Sequence, residues 1–153
     1  MEFFPSPLTL DQTRSLVSRI GSSFEEKGFG LWAAELKTTG EMIGFIGLSV
    51  PAFEAPFTPC VEIGWRLSPT HWGKGLAPEG AQRVLEFAFR ELGLPEIVSF
   101  TSGLNQKSRR VMEKIGMVYN PRDDFEHPLL PEGHWLRPHV LYRIRKETQG
   151  AVP

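Results

Sequence analysis

Residues 68–94, SPTHWGKGLAPEGAQRVLEFAFRELGL, place two alternating glycines directly before an amphipathic helix. Glycine loses backbone entropy wherever it is ordered, and a tight turn needs only one. Gly73 and Gly75 together therefore favour a turn whose backbone N–H groups approach an anion at a helix N-terminus. A tight strand-to-helix connection with no ligand remains the structural alternative, because Gly-x-Gly alone is a weak motif.

The segments on either side of this turn alternate between strand and helix patterns. Thr9 and Gln12 form a capping box before a predicted helix over residues 10–26, which ends near Gly28. Apolar periodicity and turn residues then predict, in order, a hairpin within 30–50 that turns at 38–41, a strand over 60–67, a helix after the glycine turn, a strand over 96–102, a helix over 105–116, a short strand over 117–120 and a strand over 139–146. Strands on both sides of a crossover helix predict a mixed α/β sheet.

Length and composition predict one soluble domain over residues 1–153, with a disordered tail after about residue 147. The net charge of −1 gives no basic excess for nucleic acid or an anionic membrane. No apolar run reaches the roughly 20 residues of a membrane helix, and no signal peptide is evident. The single cysteine, Cys60, excludes an internal disulfide, so a cytoplasmic protein is expected.

Two longer stretches, EIGWRLSPTHWGKGLAPEG (62–80) and SGLNQKSRRVMEKIGM (102–117), resemble the acetyl-CoA core of the GCN5-related N-acetyltransferase (GNAT) superfamily. WGKGLA (72–77) is similar to its pyrophosphate signature, Arg/Gln-x-x-Gly-x-Gly/Ala, with Trp72 at the usual Arg or Gln. The likeness is greatest to the ribosomal-protein-alanine N-acetyltransferase branch. It implies the GNAT fold, a mixed and mainly antiparallel twisted sheet flanked by helices.

Members of this superfamily normally begin with a strand and a helix ahead of FFPSPLT (3–9). The resemblance therefore implies that this chain lacks the usual first strand and helix. A missing edge would leave strand edge and apolar surface uncovered, and a homodimer is one way to cover them.

The resemblance also implies how acetyl-CoA is bound as co-substrate. Backbone N–H groups of the glycine turn would hold the pyrophosphate, and the preceding strand would diverge from its neighbour to accept the pantetheine. Asn105 would cap the second helix and contact the cofactor, while Lys74 either adds charge or is a solvated loop lysine. The implied cofactor-binding residues are Trp65, Arg66, Leu67, Trp72, Gly73, Lys74, Gly75, Leu76, Ala77, Asn105 and Ser108.

Two side chains are the candidate catalytic residues. Many superfamily members place a tyrosine acid in the second helix, where this chain has Met112, so the hydroxyl of Ser108 is expected to stabilise the leaving thiolate. Glu62 is the first candidate for the base that deprotonates the amine, and Glu132 and His134 are second candidates. A surface serine and a strand-surface glutamate are the structural alternatives.

The late loop, residues 121–138, is predicted to form a wall of the acceptor pocket with Phe125 and Trp135. It could instead only cover the sheet edge, and its histidine spacing matches no standard metal site. The sequence thus predicts an N-acetyltransferase in which a primary amine, of a small molecule or a protein N-terminus, attacks the thioester directly. The alternative is a non-catalytic acyl-CoA-binding module or a degenerate enzyme.

Overall fold

The computed structural model describes residue 3 and residues 6–149, and a mixed sheet organises them. The strands are β1 Leu31–Glu35, β2 Met42–Ser49, β3 Glu62–Leu67, β4 Glu96–Ser102, β5 Val118–Tyr119, β6 Phe125–Glu126 and β7 Pro138–Arg145. They lie in the order β1-β2-β3-β4-β7-β5, and β6 also pairs with β7. Only β3 and β4 are parallel among these pairs of the described chain, so the predicted mixed, mainly antiparallel sheet is confirmed.

Three helices lie close to their predicted positions, and a short fourth helix at the start of the expected tail was not predicted. They are α1 Leu10–Lys27, α2 Leu76–Arg90, α3 Gln106–Lys114 and α4 Lys146–Gln149, with 3-10 turns at Pro69–His71 and Pro121–Asp123. The Thr9–Gln12 capping box is present in full, and Gly28 ends α1 in the left-handed conformation. No helix within the described residues is long and apolar enough to cross a membrane.

Helix α2 carries the tightest packing against the sheet. Its buried stripe consists of Ala81, Val84, Leu85, Ala88 and Phe89. A Cβ built at Gly80 would meet the terminal Cδ1 of Ile46 on β2, so a larger residue here would require that side chain to shift. The sheet therefore fixes the position of α2, and with it the turn that opens the helix.

Helix α1 lies at the surface: none of its residues is fully buried, while Leu16, Ile20 and Phe24 are half-buried. Phe24 packs edge-on against Trp32 of β1 at 5.3 Å between ring centroids, whereas Val17 is 62% exposed. The expected absence of a first strand and helix is not tested by these residues and stays a prediction.

The late loop contains more regular structure than its proline content predicts. Phe125 and Glu126 form β6 opposite His139 and Pro138 of β7, and Pro121–Asp123 is a 3-10 turn. A two-residue strand leaves no periodicity to read, so the sequence could not reveal it. The prediction of a disordered tail falls mostly on residues outside those described.

Candidate active site

Strands β3 and β4 diverge almost as soon as they meet. They pair at one position, Glu62 opposite Val98, and the N–H of Val98 donates to the Val61 carbonyl at 3.0 Å. Residues 63–67 of β3 have no ladder partner on β4, although the whole of β3 pairs with β2 on its other side. The buried hydroxyl of Ser99 donates to the Ile63 carbonyl at 2.9 Å, just past the point where the strands meet. The expected divergence is present, and a cofactor contact at Trp65, Arg66 and Leu67 stays a prediction.

The glycine turn lies at the far end of β3. Gly73 and Gly75 both have φ of 75°, a conformation that disfavours any other residue, and a Cβ at either would meet open space. No side chain caps α2, and the Glu79 N–H donates to the Gly75 carbonyl to begin the helical ladder. The N–H groups of Leu76 and Ala77 therefore lack intrahelical partners. This arrangement can hold an anion on backbone groups.

Trp72 links this turn to β3 and α3. Its indole Nε1 donates to the Leu67 carbonyl at 2.8 Å, and the ammonium of Lys107 lies 4.3 Å from the centre of its ring. A ligand contact by Trp72 would therefore involve its ring face or backbone. Sequence reasoning missed Lys107, because nothing in the spacing of the two residues indicates the contact.

The first turn of α3 is organised by its predicted N-cap. The Asn105 Oδ1 accepts the Ser108 N–H at 3.2 Å, and the Asn105 Nδ2 donates to the Thr101 hydroxyl at 3.1 Å. The capping role of Asn105 is confirmed, and Ser108 is half-buried in the same turn. One turn later, Met112 is 1% exposed within the core, so it belongs to the packing of α3. The catalytic role of Ser108 and the cofactor contact of Asn105 stay predictions.

Glu62 lies at the opposite end of β3 from the glycine turn. It pairs with Ser49 of β2 and with Val98 of β4, where burial raises the pKa of its carboxyl to about 8, against a smaller lowering by the Ser49 hydroxyl. A carboxyl of this pKa can gain or lose a proton near neutral pH. Two residues upstream, burial and the nearby Glu62 raise the pKa of Cys60 to about 11, which disfavours a thiolate nucleophile.

The second candidates for the base lie elsewhere. Glu132 and His134 line an open concavity of about 510 Å³ to which no residue of β3 or α3 contributes. The His134 Nδ1 accepts the Leu136 N–H at 3.1 Å. The structure therefore does not bring these two side chains together with the glycine turn or Ser108.

Aromatic rings gather on the Glu62 face of the sheet. Phe100 of β4 lies within 5.6–6.3 Å, centroid to centroid, of five rings, those of Phe53, Phe57, Phe125, His127 and His139. We call these six residues the aromatic cluster. Trp135 is 59% exposed and its ring stacks on that of His134. Among residues 6–149, the Trp135 ring does not contact a ring of the cluster. Of the predicted wall, Phe125 joins the cluster and Trp135 does not.

Comparison with known proteins is consistent with this arrangement. The family model of the acetyltransferase (GNAT) domain matches residues 1–118. The chain is 41% identical over 128 residues to the Aspergillus fumigatus FsC-acetyl coenzyme A-N(2)-transacetylase, covering 78% of this chain and 52% of that protein. The chain therefore spans about half the length of this curated relative.

Solved structures agree with the family match. An acetyltransferase from Agrobacterium tumefaciens superposes with a TM-score of 0.70 at 32% identity, covering 92% of this chain and 74% of that one. The ribosomal-protein-S5-alanine acetyltransferase of Vibrio fischeri has a TM-score of 0.73 at 19% identity, covering 94% and 78%, a likeness that shows the fold alone. The chain belongs to the GNAT family and has the GNAT fold.

Proposed function

We propose that the chain is an acetyl-CoA-dependent N-acetyltransferase that transfers an acetyl group to a primary amine. The observation that carries this proposal is the arrangement along β3. An uncapped glycine turn lies at one end, beside a gap between diverging strands, and a carboxyl of raised pKa lies at the other. Membership of the GNAT family and the name of the 41% identical transacetylase support the same reaction.

The cofactor is proposed to lie along this gap. Backbone N–H groups of residues 73–77 would bind the pyrophosphate, aided by the positive end of the α2 dipole. Lys74 and Lys107 would add positive charge at the same end. The backbone of Trp65 and Arg66 would pair with the pantetheine, whereas the Leu67 carbonyl already accepts the Trp72 indole. Asn105 would border the gap from α3.

The proposed chemistry is direct transfer. Glu62 accepts a proton from the ammonium, directly or through one water, and the neutral nitrogen attacks the thioester carbonyl carbon. A C–N bond forms, the C–S bond breaks, and its electron pair leaves on sulfur as a thiolate. The Ser108 hydroxyl donates a hydrogen bond to that thiolate, which takes up the second proton that the acylated nitrogen releases, while Glu62 returns its own proton to solvent. Products are an amide and the free thiol.

The acceptor is proposed to be a small-molecule amine or a protein N-terminus. A place in the ribosomal-protein-alanine branch rests on the two resembling motifs, 62–80 and 102–117. A cytoplasmic location rests on the composition and the single cysteine, and a homodimer stays a prediction. Each of these four properties is proposed in addition to membership of the GNAT family.

A specific observation favours the non-catalytic alternative, an acyl-CoA-binding module. Met112, at the position of the usual tyrosine acid, is buried in the core and offers no proton. Such a module would bind acetyl-CoA tightly and release no thiol with any amine.

Calorimetry of acetyl-CoA binding, followed by thiol release with a panel of amines, tests the proposal. Gly75→Glu introduces negative charge at the proposed pyrophosphate site and should weaken binding at least about 100-fold. Gly40→Glu is the matched control, because Gly40 has φ of 74° and equally open space but lies in the β1–β2 turn. Equal binding by wild type and both variants would refute the site, and binding without thiol release would favour the module.

A further inference from the structure

The aromatic cluster begins where β3 and β4 separate. Side chains alternate along a strand, so Val98 and Phe100 of β4 share a face, and Glu62 pairs with Val98 on β3. Strand spacing and rise place the Cα atoms of Glu62 and Phe100 roughly 8 Å apart or somewhat more. The ring of Phe100 therefore lies on the same face of the sheet as the Glu62 side chain.

Three separate segments of the chain contribute aromatic rings to this face of the sheet. The loop before β3 supplies Phe53 and Phe57, β4 supplies Phe100, and the β6–β7 region supplies Phe125, His127 and His139. All six are only partly buried, unlike the rings of a closed core such as Phe89, which is 1% exposed. A continuous, partly exposed ring surface beside a candidate catalytic carboxyl is typical of a ligand-binding wall.

The cluster offers no charge to a ligand. His127 and His139 lie 4.9 Å apart, and burial lowers the pKa of both imidazoles, to about 4 for His127. Both rings are therefore neutral at pH 7. Two carboxylates border the cluster beside Phe125 and His139. Asp124 accepts the neutral Tyr119 hydroxyl at 2.9 Å and keeps its charge, whereas Glu126 pairs with Arg137 at 3.4 Å.

We propose that the acceptor is an amine with an apolar or aromatic group a few bonds from its nitrogen, and that the aromatic cluster binds that group. This inference rests on the proposed acetyl transfer. Glu62 would receive the proton while the rings hold the apolar part. A polyamine has more remaining charges than Asp124, the bordering carboxylate whose partner is a neutral hydroxyl, can pair, and a hydroxyalkyl amine would leave its hydroxyl unpaired against phenyl rings.

Three amines test the preference: 2-phenylethylamine, ethanolamine and spermidine. We expect kcat/KM for 2-phenylethylamine to exceed the other two by about 10- to 100-fold, the usual gain from burying one ring. Equal or reversed preference would overturn the inference. If no amine releases thiol, the same amines are titrated calorimetrically into CoA-saturated protein, where the same order of affinity is expected and equal affinity would overturn it.

Variants in the cluster separate this inference from the proposed function. Phe57→Ala should raise KM for 2-phenylethylamine about tenfold while leaving kcat and acetyl-CoA affinity near wild type. Trp135→Ala, an exposed aromatic residue of the same region outside the cluster, is the control and should change neither. If thermal melting shows that Phe57→Ala is not folded, Phe57→Leu is used in its place.

The outcomes remain distinguishable. An unchanged KM in a folded Phe57 variant refutes the aromatic wall but leaves acetyl transfer standing. Absence of acetyl-CoA binding by the wild type refutes acetyl transfer, and the same amines titrated into the protein without cofactor still report on the wall.

Discussion

The two ends of β3 are built in different ways. The end that leads into the glycine turn is local: residues 68–77 and α2 follow one another, and the groups that face outward are backbone N–H groups. The Glu62 end is assembled from the loop before β3, from β4 and from the β6–β7 region, and its groups are side chains. A local, backbone-built site depends on conformation, whereas a dispersed site depends on the identity of each side chain.

That difference suits the roles we propose for them. A pyrophosphate is the same in every reaction that uses acetyl-CoA, so backbone groups held by two glycines suffice. An acceptor differs from one enzyme to another, and exchangeable side chains on three segments can fit it. Substitutions should therefore affect cofactor binding at one end of β3 and proton transfer or acceptor binding at the other, with effects of different size.

Replacement of the proposed base should have the largest effect. Glu62→Gln keeps the size of the side chain but cannot accept a proton, so kcat/KM should fall about 10²- to 10⁴-fold. In the wild type the rate should rise with pH up to about 8, the pKa of Glu62, since only the carboxylate is a base. The ratio of wild-type to variant kcat/KM isolates the pH dependence that comes from Glu62, because ionisation of the amine affects both enzymes equally. A constant ratio across pH would exclude Glu62 as the base.

Ser108→Ala tests whether the hydroxyl of Ser108, on α3 between the two ends, stabilises the leaving thiolate. Loss of a hydrogen bond to a developing thiolate should lower kcat about tenfold and leave acetyl-CoA affinity unchanged. Single-turnover thiol release measures this. Ser108→Thr, which keeps a hydroxyl, is the matched variant and should recover most of the rate. If alanine and threonine behave as wild type does, Ser108 is only part of the helix surface.

Lys107→Ala sharpens the account of the turn end. The ammonium lies over Trp72 beside the glycine turn, and its loss should weaken acetyl-CoA binding about three- to tenfold. The effect should shrink as salt increases and should be absent for acetyl-pantetheine, which has no phosphates. Lys114→Ala, at the other end of α3, is the control. Equal weakening by both variants would assign the effect to net charge.

The smallest expected effect is on the free energy of unfolding, which should depend on pH through Glu62 at one end of β3. Burial raises the pKa of Glu62 to about 8 from 4.5, so the folded state keeps a proton that the unfolded state releases. Stability from this proton is full below pH 4.5 and falls as pH rises toward 8. Glu62→Gln should therefore melt a few degrees higher than wild type at pH 8 and show little difference at acid pH. Parallel melting curves would contradict the raised pKa.

Much of the fold could be predicted because its signals are local. The capping box at Thr9, the stop at Gly28, the hairpin and the stripe of α2 are all patterns within one element. The glycine turn was visible for the same reason. The exposure of α1 was not, because an apolar periodicity does not indicate what packs against it.

The candidate site was predictable only in part. Glu62, Ser108 and Asn105 stood out through motifs, and the structure places Glu62 beside a strand divergence that no spacing reveals. Lys107 over Trp72 and the rings on Phe100 come from residues distant in the chain, so only the folded arrangement joins them. The pKa of Glu62 likewise depends on tertiary burial.

The central claim is that the two ends of β3 divide cofactor binding from proton transfer. The most direct test is calorimetry of acetyl-CoA with Glu62→Gln and Gly75→Glu side by side. The account predicts that Glu62→Gln binds acetyl-CoA within about twofold of wild type although its kcat/KM is strongly reduced, while Gly75→Glu does not bind. Loss of affinity in Glu62→Gln, or full affinity in Gly75→Glu, would contradict it.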